Sequence, residues 1–223
     1  MATDWPKSAL DALRRSRWFG GLTADLQALI LQRSVMRCYG KGEYIIRQGE
    51  PTRGMFAVLE GKVRVLRLIG DSKEVLIHLG EAGLWFGDYA MMAGSPSIGS
   101  IVADSRVRTL FLPVAEFERI VADEPRHYRA FAALLIERYE QLYRYMAEAQ
   151  GLAPEERLRT RLTDLALLRR RDGDSSDPIS VTVSQAELAT MIGVSRQTLS
   201  ALLARLEARG LIQIGFRDIR VLV

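Results

Sequence analysis

The 223-residue sequence predicts an α+β chain: a glycine-punctuated β-roll of jelly-roll type, then a long helix, then two short helices followed by a hairpin. Three observations predict it. Between residues 39 and 113, short alternating apolar segments are separated by glycines at near-regular intervals, the texture of a closed or double-layered β structure. After Asp123-Glu124-Pro125 a helical pattern runs through Gln150. Residues 184–210 then carry two helix caps, a central glycine and leucines at helical spacing.

In chain order, residues 8–36 read as helical. Leu10, Leu13, Trp18 and Phe19 lead, and Leu22, Leu26, Leu29 and Ile30 follow a Thr23 cap. The strands of the roll are expected at 44–47, 55–59, 62–68, 73–79, 100–103 and 106–112. Asp123-Glu124-Pro125 then supplies acidic caps and an early proline for a helix of roughly 40 Å. Tyr128, Phe131, Leu135, Arg138, Leu142, Tyr145, Ala149 and Leu152 recur along it at spacings of three and four. Such a seam packs on its own roll or pairs with a second copy as a parallel coiled coil, and Arg138 argues against a dry core at its level. Gly151 and Pro154 break the run and place a hinge there. A further helix is expected over 155–170, with Leu158, Leu162, Leu165 and Leu168. The predicted division is therefore 1–122 for the roll, 123–152 for the long helix and hinge, and 153–223 for the C-terminal part.

The C-terminal helices can be justified residue by residue. Ser184 caps the first, Glu187 can close a capping box, and Val183 with Leu188 has the spacing of a hydrophobic staple. Leu188, Met191 and Ile192 share a face; Gly193 permits the left-handed backbone of a tight turn; Val194-Ser195 starts a second helix that buries Leu199, Leu202, Leu203 and Leu206. This is the arrangement of a helix-turn-helix, in which the second helix offers its first residues to the major groove. An ordinary αα-corner has the same caps and leucines. Past Gly210, residues 211–214 and 218–223 read as strands around Gly215-Phe216-Arg217, a hairpin suited to be the wing of a winged helix. The candidate DNA-facing set is Ser184, Gln185, Ser195, Arg196, Gln197, Thr198, Ser200 and, at the wing tip, Arg217.

Composition narrows the function classes. At 48% hydrophobic, the chain can fill real cores. No apolar run is long enough to span a bilayer and no signal-like amino terminus is present, which predicts a cytoplasmic protein without a membrane partner. Cys38 is the one cysteine and is expected to be semi-buried; with only His78 and His127, no Cys/His cluster has metal spacing. His78 reads as a half-buried strand residue. The formal charge is +4, yet residues 151–223 hold eleven Arg against nine acidic residues, so the case for DNA rests on motif geometry. Arg169-Arg170-Arg171 reads as a solvated helix end favoured by the macrodipole.

Taken in order, K-G-E-Y-I-I-R-Q-G-E-P at 41–51, M-F-A-V-L-E-G-K-V-R-V at 55–65, W-F-G-D at 85–88, the proline-started helix and G-V-S-R-Q-T at 193–198 resemble the Crp/Fnr family, the cyclic AMP receptor protein-like transcription regulators. The resemblance covers nearly the whole chain. It implies a cyclic nucleotide-binding-like roll, a homodimer joined by the long helix through Phe131, Leu135, Leu142 and Tyr145, and two recognition helices presented to an inverted repeat in double-stranded DNA. It also implies a small-molecule effector in a pocket of Phe86, Gly87, Asp88, Tyr89, Ser97, Ile98, Gly99, Ser100, Arg138, Leu142 and Tyr143, with RNA polymerase as a candidate protein partner. Arg196 matches the family's guanine-reading arginine.

Departures from the family pattern modify the expectation. Asp88 stands where cyclic AMP binders carry glutamate for the ribose. Residues 89–105 contain no arginine for the cyclic phosphate, the expected place holding Ser97-Ile98-Gly99-Ser100; Leu142 and Tyr143 replace the adenine-facing hydroxyls. A buried phosphate without an opposite charge is costly, so cyclic AMP is not expected to act here in the usual way. Iron–sulfur and haem sensing lack ligands and no resident cofactor is expected, which leaves an uncharged or less polar effector, a different nucleotide held otherwise, or no ligand at all. Gln197 in place of glutamate, and Ala201 where a second arginine is common, predict a different half-site. Two other readings stay open: a signal-binding module whose winged helix contacts a protein, and an enzyme, for which no nucleophile–base pair, metal cluster or phosphate loop appears.

Overall fold

The computed structural model describes residues 5–70, 73–171, 178–215 and 218–222. It separates into two compact units, Met1–Glu140 and Gln141–Val223. Among the described residues no helix is long and apolar enough to cross a membrane.

The first unit opens with α1 (Lys7–Arg15), α2 (Arg17–Gly20) and α3 (Ala24–Arg33), the last two capped by the Ser16 and Thr23 side chains. The roll is two four-stranded antiparallel sheets. One orders β1 (Val35–Tyr39), β8 (Val107–Pro113), β3 (Gly54–Glu60) and β6 (Trp85–Phe86); the other orders β2 (Tyr44–Ile46), β7 (Ser100–Ala103), β4 (Val63–Ile69) and β5 (Lys73–Gly80). A short helix α4 (Asp88–Ala93) follows β6, and α5 (Val114–Asp123) continues directly from β8. Two apolar clusters hold the unit together. Phe56, Phe86 and Phe111 lie with Ile46, Val58, Val63, Ile101 and Val107 in one. Trp18, Phe19, Trp85, Phe117, Leu110, Leu112 and Phe131 lie in the other, which joins the helices to the β1-β8-β3-β6 sheet.

The expected strands appear within two residues of their predicted bounds. β1 was not expected: residues 35 and 36 fall inside the segment read as helical. Its side chains are exposed or half-buried along the whole strand, so it leaves no apolar signature; backbone pairing with β8, from Val35 opposite Phe111 to Tyr39 opposite Val107, holds it. Cys38 on this strand is exposed, correcting the expectation of a semi-buried thiol. His78 is half-buried on β5, opposite Val65.

The long helix α6 (His127–Gly151) and α7 (Pro154–Arg171) form as expected, and the boundary between the two units falls inside α6. The second unit packs α7, β9 (Ile179–Val181), α8 (Gln185–Ile192), α9 (Arg196–Ala208), β10 (Ile212–Gly215) and β11 (Asp218–Val221). Leu158 and Leu162 of α7 are fully buried in this unit, as are Leu188, Leu199 and Leu203. β9 adds a third strand to the hairpin, pairing with β11. Three residues are too few to show an alternation, so its place was not legible in the sequence. Ser180 of β9 donates a short hydrogen bond to the Asp218 carboxylate across the pair. Arg169-Arg170-Arg171 closes α7.

Candidate nucleic-acid interface and effector site

Caps set the α8–α9 geometry. The Ser184 hydroxyl accepts from the Glu187 amide at 3.2 Å while the Glu187 carboxylate accepts the Ser184 amide at 3.0 Å, a complete capping box. Val183 and Leu188 beside it are both buried. α8 stops at Gly193, whose φ of 70° is left-handed, and the Val194 amide returns to the Ala189 carbonyl at 3.0 Å. The turn therefore has one shape. Ser195 restarts the chain by accepting the Thr198 amide at 3.0 Å, and its hydroxyl also meets the Thr198 hydroxyl at 2.8 Å.

The structure thus sorts the predicted DNA-facing residues by task. Ser184, Ser195 and Thr198 use their hydroxyls to start helices. Gln185, Arg196, Gln197 and Ser200 are exposed, and the last three sit on the first turns of α9 opposite its buried row Leu199, Leu202, Leu203 and Leu206. Ala201 and Ala204 continue that exposed face with small side chains, so the helix axis can approach a groove floor closely. Arg217 lies outside the described residues. Arg220 was not singled out in the sequence; it is exposed on β11, near the Asp218 carboxylate at 3.8 Å and the Gln213 amide oxygen at 3.4 Å.

Within the first unit the predicted effector residues have different surroundings. Phe86 is a core residue, correcting its assignment to a pocket: its ring stacks on Phe56 at 5.3 Å and is 6% exposed. Gly87 has a φ of 85°, and a Cβ there would meet the Gly54 carbonyl at 2.8 Å, so only glycine fits the corner leading into α4. Asp88 is buried in the first turn of that helix, and its Oδ2 has no hydrogen-bond partner among the described residues. Arg138 of α6 donates to the Trp85 carbonyl at 2.5 Å and lies near enough to act electrostatically on Asp88. Tyr89 is exposed.

The segment from Ser97 to Ser100 is bonded to itself and to its neighbours. Ser97 donates its hydroxyl to the Gly99 carbonyl at 2.7 Å, and Ser100 accepts the Gln48 amide at 3.0 Å. Ile98 is exposed, and its carbonyl accepts from Arg67 at 2.7 Å. Arg67 is therefore a cation at this segment, supplied by β4 and lying outside residues 89–105. Leu142 and Tyr143 are exposed on the part of α6 that belongs to the second unit.

Burial is the largest influence on Asp88 and raises its carboxyl above the usual range; Arg138 and the Asp88 and Tyr89 backbone amides pull it back in part. Because the folded-state value lies above the unfolded one, the stabilising contribution is complete below the ordinary aspartate pKa and is lost as pH rises through the raised value. Asp88→Asn should therefore gain stability relative to wild type on going from about pH 4 to pH 7. Thermal melts across that range check this; a constant difference would mean that Asp88 titrates normally.

The predicted seam is corrected in part. Phe131 is 1% exposed, packed edge-on to Phe117 at 4.9 Å and beside Trp18 at 5.7 Å, and so belongs to its own protomer's core. Tyr145 is half-buried beneath the Arg161 guanidinium at 4.2 Å, and Leu135 is half-buried. The exposed apolar stripe is Ile136, Tyr139, Tyr143 and Met146, with Leu142 at its flank. It lies one residue, about 100° around the helix, from the predicted face. α6 is apolar on two neighbouring faces, and periodicity alone does not say which one its own roll covers.

Two domain families match the chain: a cyclic nucleotide-binding domain over residues 36–124 and a Crp-like helix-turn-helix domain over residues 156–222. The chain is 22% identical over 213 residues to the CRP-like cAMP-activated global transcriptional regulator of Mycobacterium tuberculosis, covering 95% of this chain and 94% of that protein. It is 29% identical over 205 residues to the cyclic AMP receptor protein of Thermus thermophilus, covering 91% of each. In fold it is similar to the c-di-GMP-responsive global regulator CLP of Xanthomonas campestris, with a TM-score of 0.73 at 20% identity over 90% of this chain and 100% of that one. With both domains matched in order and relatives spanning nearly its whole length, the chain belongs to the Crp/Fnr family of transcription regulators and carries that family's helix-turn-helix DNA-binding domain.

Proposed function

We propose that this regulator acts as a homodimer on an inverted repeat in double-stranded DNA and is not switched by cyclic AMP in the usual way. The observation that carries the reading is the capped α9, whose first exposed turns offer Arg196, Gln197 and Ser200. Arg196 suits a guanine edge and Gln197 an adenine edge. The stripe Ile136, Tyr139, Tyr143 and Met146 supplies the spacing of a parallel helix pair, and a dimer of this kind matches a palindromic site. In the cytoplasm its further partners would be an effector and, where it activates, RNA polymerase. The working division is 1–122 for sensing, 123–152 for dimerisation and 153–223 for DNA. Selection of bound sequences from random duplexes tests the reading directly: an enriched inverted repeat with salt-dependent affinity is expected. Enrichment of no sequence would discard it.

Cyclic AMP control is disfavoured by three features. Asp88 is short and buried, the Ser97 and Ser100 hydroxyls are engaged locally, and Arg67 is held by the Ile98 carbonyl. Unmet polar groups on a buried ligand cost about 1–3 kcal/mol each, so affinity should fall by orders of magnitude. Calorimetry with cyclic AMP is expected to show no binding at micromolar concentration. A low-micromolar dissociation constant with a matching rise in operator affinity would show instead that Arg67 or Arg138 takes the phosphate.

Dimerisation has its own check. Tyr139→Glu with Tyr143→Glu should dissociate the protein by placing charge in the stripe, read by sedimentation at micromolar concentration. A wild-type monomer at that concentration would remove both the dimer and the palindrome.

A further inference from the structure

Gly151, Leu152, Ala153 and Pro154 read in the sequence as a hinge, yet side chains bridge the joint. The Leu152 amide returns to the Glu148 carbonyl at 3.0 Å, extending helical bonding beyond the end of α6. On the other side the Ala153 amide donates to the Glu156 carboxylate at 3.0 Å, which fixes the start of α7. Arg157 then reaches back with Nη1 to the Ala149 and Leu152 carbonyls, at 3.0 and 3.3 Å. Ala149 lies in the last turn of α6, where carbonyls lack intrahelical partners, and Leu152 lies just past its end. One turn later Arg161, whose side chain is 14% exposed, lays its guanidinium 4.2 Å from the centre of the Tyr145 ring, with Asp164 at 3.8 Å.

The bridging continues to the far side of the winged helix. Glu155 in the first turn of α7 meets Arg209, the C-cap of α9, at 2.5 Å. Between these ends, Leu158 and Leu162 are fully buried in the core of the same unit. Gln141–Gly151 of α6 belongs to that unit too, and carries Leu142, Tyr143 and Met146 of the exposed stripe. Within this unit, Leu142, Tyr143 and Met146 and the helix proposed to read DNA are thus joined by a continuous set of packed and bonded groups.

We propose that Arg157 and Arg161 are positioning residues that hold α7 against the end of α6 and so set the half-site spacing the dimer accepts. This rests on the dimeric, DNA-reading function above. In a symmetric dimer the distance between recognition helices is set by the angle each makes with the shared helix pair, and half-site spacing follows from that distance. A free hinge would tolerate several spacings. A clamped elbow selects one.

The test uses the full chain and two kinds of duplex: a single half-site, and inverted repeats whose half-sites are moved apart or together one base pair at a time. Wild type should bind the half-site weakly and prefer one spacing among the repeats. Arg161→Ala and Tyr145→Ala should keep wild-type half-site affinity and still sediment as dimers, while losing roughly tenfold in discrimination between neighbouring spacings. Tyr145→Phe keeps the ring face and should restore the wild-type preference. Arg157→Met removes the carbonyl contacts from the other end and should relax spacing in the same direction, so the test survives if an Arg161 variant fails to fold. Unchanged spacing preference in Arg161→Ala and Arg157→Met, each still binding the half-site normally, would overturn the clamp. Loss of preference in Tyr145→Phe equal to that in Tyr145→Ala would overturn the stacking part. A wild type that binds no half-site or sediments as a monomer would instead remove the reading on which the clamp rests.

Discussion

Phe131→Ala is expected to destabilise the N-terminal unit by about 3–5 kcal/mol, the usual cost of truncating a buried aromatic. The ring is 1% exposed and forms part of an aromatic cluster with Trp18 and Phe117; Trp18 in turn packs edge-on to Trp85 at 4.8 Å. Removing it leaves a cavity that Trp18 cannot readily fill, because its indole nitrogen donates to the Ala130 carbonyl at 2.6 Å. Chemical denaturation followed by tryptophan fluorescence measures the loss. The change separates two roles for one residue. A variant of wild-type stability that had become monomeric would return Phe131 to a seam between protomers.

Arg196→Ala should lower operator affinity roughly a thousandfold while leaving the proposed dimer and the thermal melt unchanged. A bidentate guanine contact contributes about 1–3 kcal/mol, and a symmetric dimer loses it twice. The side chain is exposed on the first turn of α9, where Ser195 and Thr198 complete the cap without it, so its removal leaves the helix start intact. Binding to the selected operator and to versions changed at each guanine gives both the loss and the position read. Equal affinity of wild type and variant would take Arg196 out of the reading set. A uniform loss across all sequences would make it a phosphate contact instead.

The local architecture was legible because local chemistry dictates it. Ser184 with Glu187, the left-handed Gly193 and the Ser195 cap specify two helices and the turn between them whatever surrounds them, and the structure forms each one. The glycine-spaced strands and the break at Gly151–Pro154 belong to the same class. β1 and β9 were not legible: one is held by backbone pairing without an apolar face, the other by three residues against β11. What the tertiary structure alone decided is which of two apolar faces a helix buries, and whether a flexible-looking joint is free. In α6, Phe131 turns into the roll and leaves the next face exposed, because Trp18 and Phe117 are there to receive it. At the joint, Arg157 and Arg161 reach Ala149 and Tyr145 across a Gly-Leu-Ala-Pro segment that by itself signals only a break. Periodicity specifies that a face is apolar, but its partner comes from residues distant in sequence, and only folding brings them together.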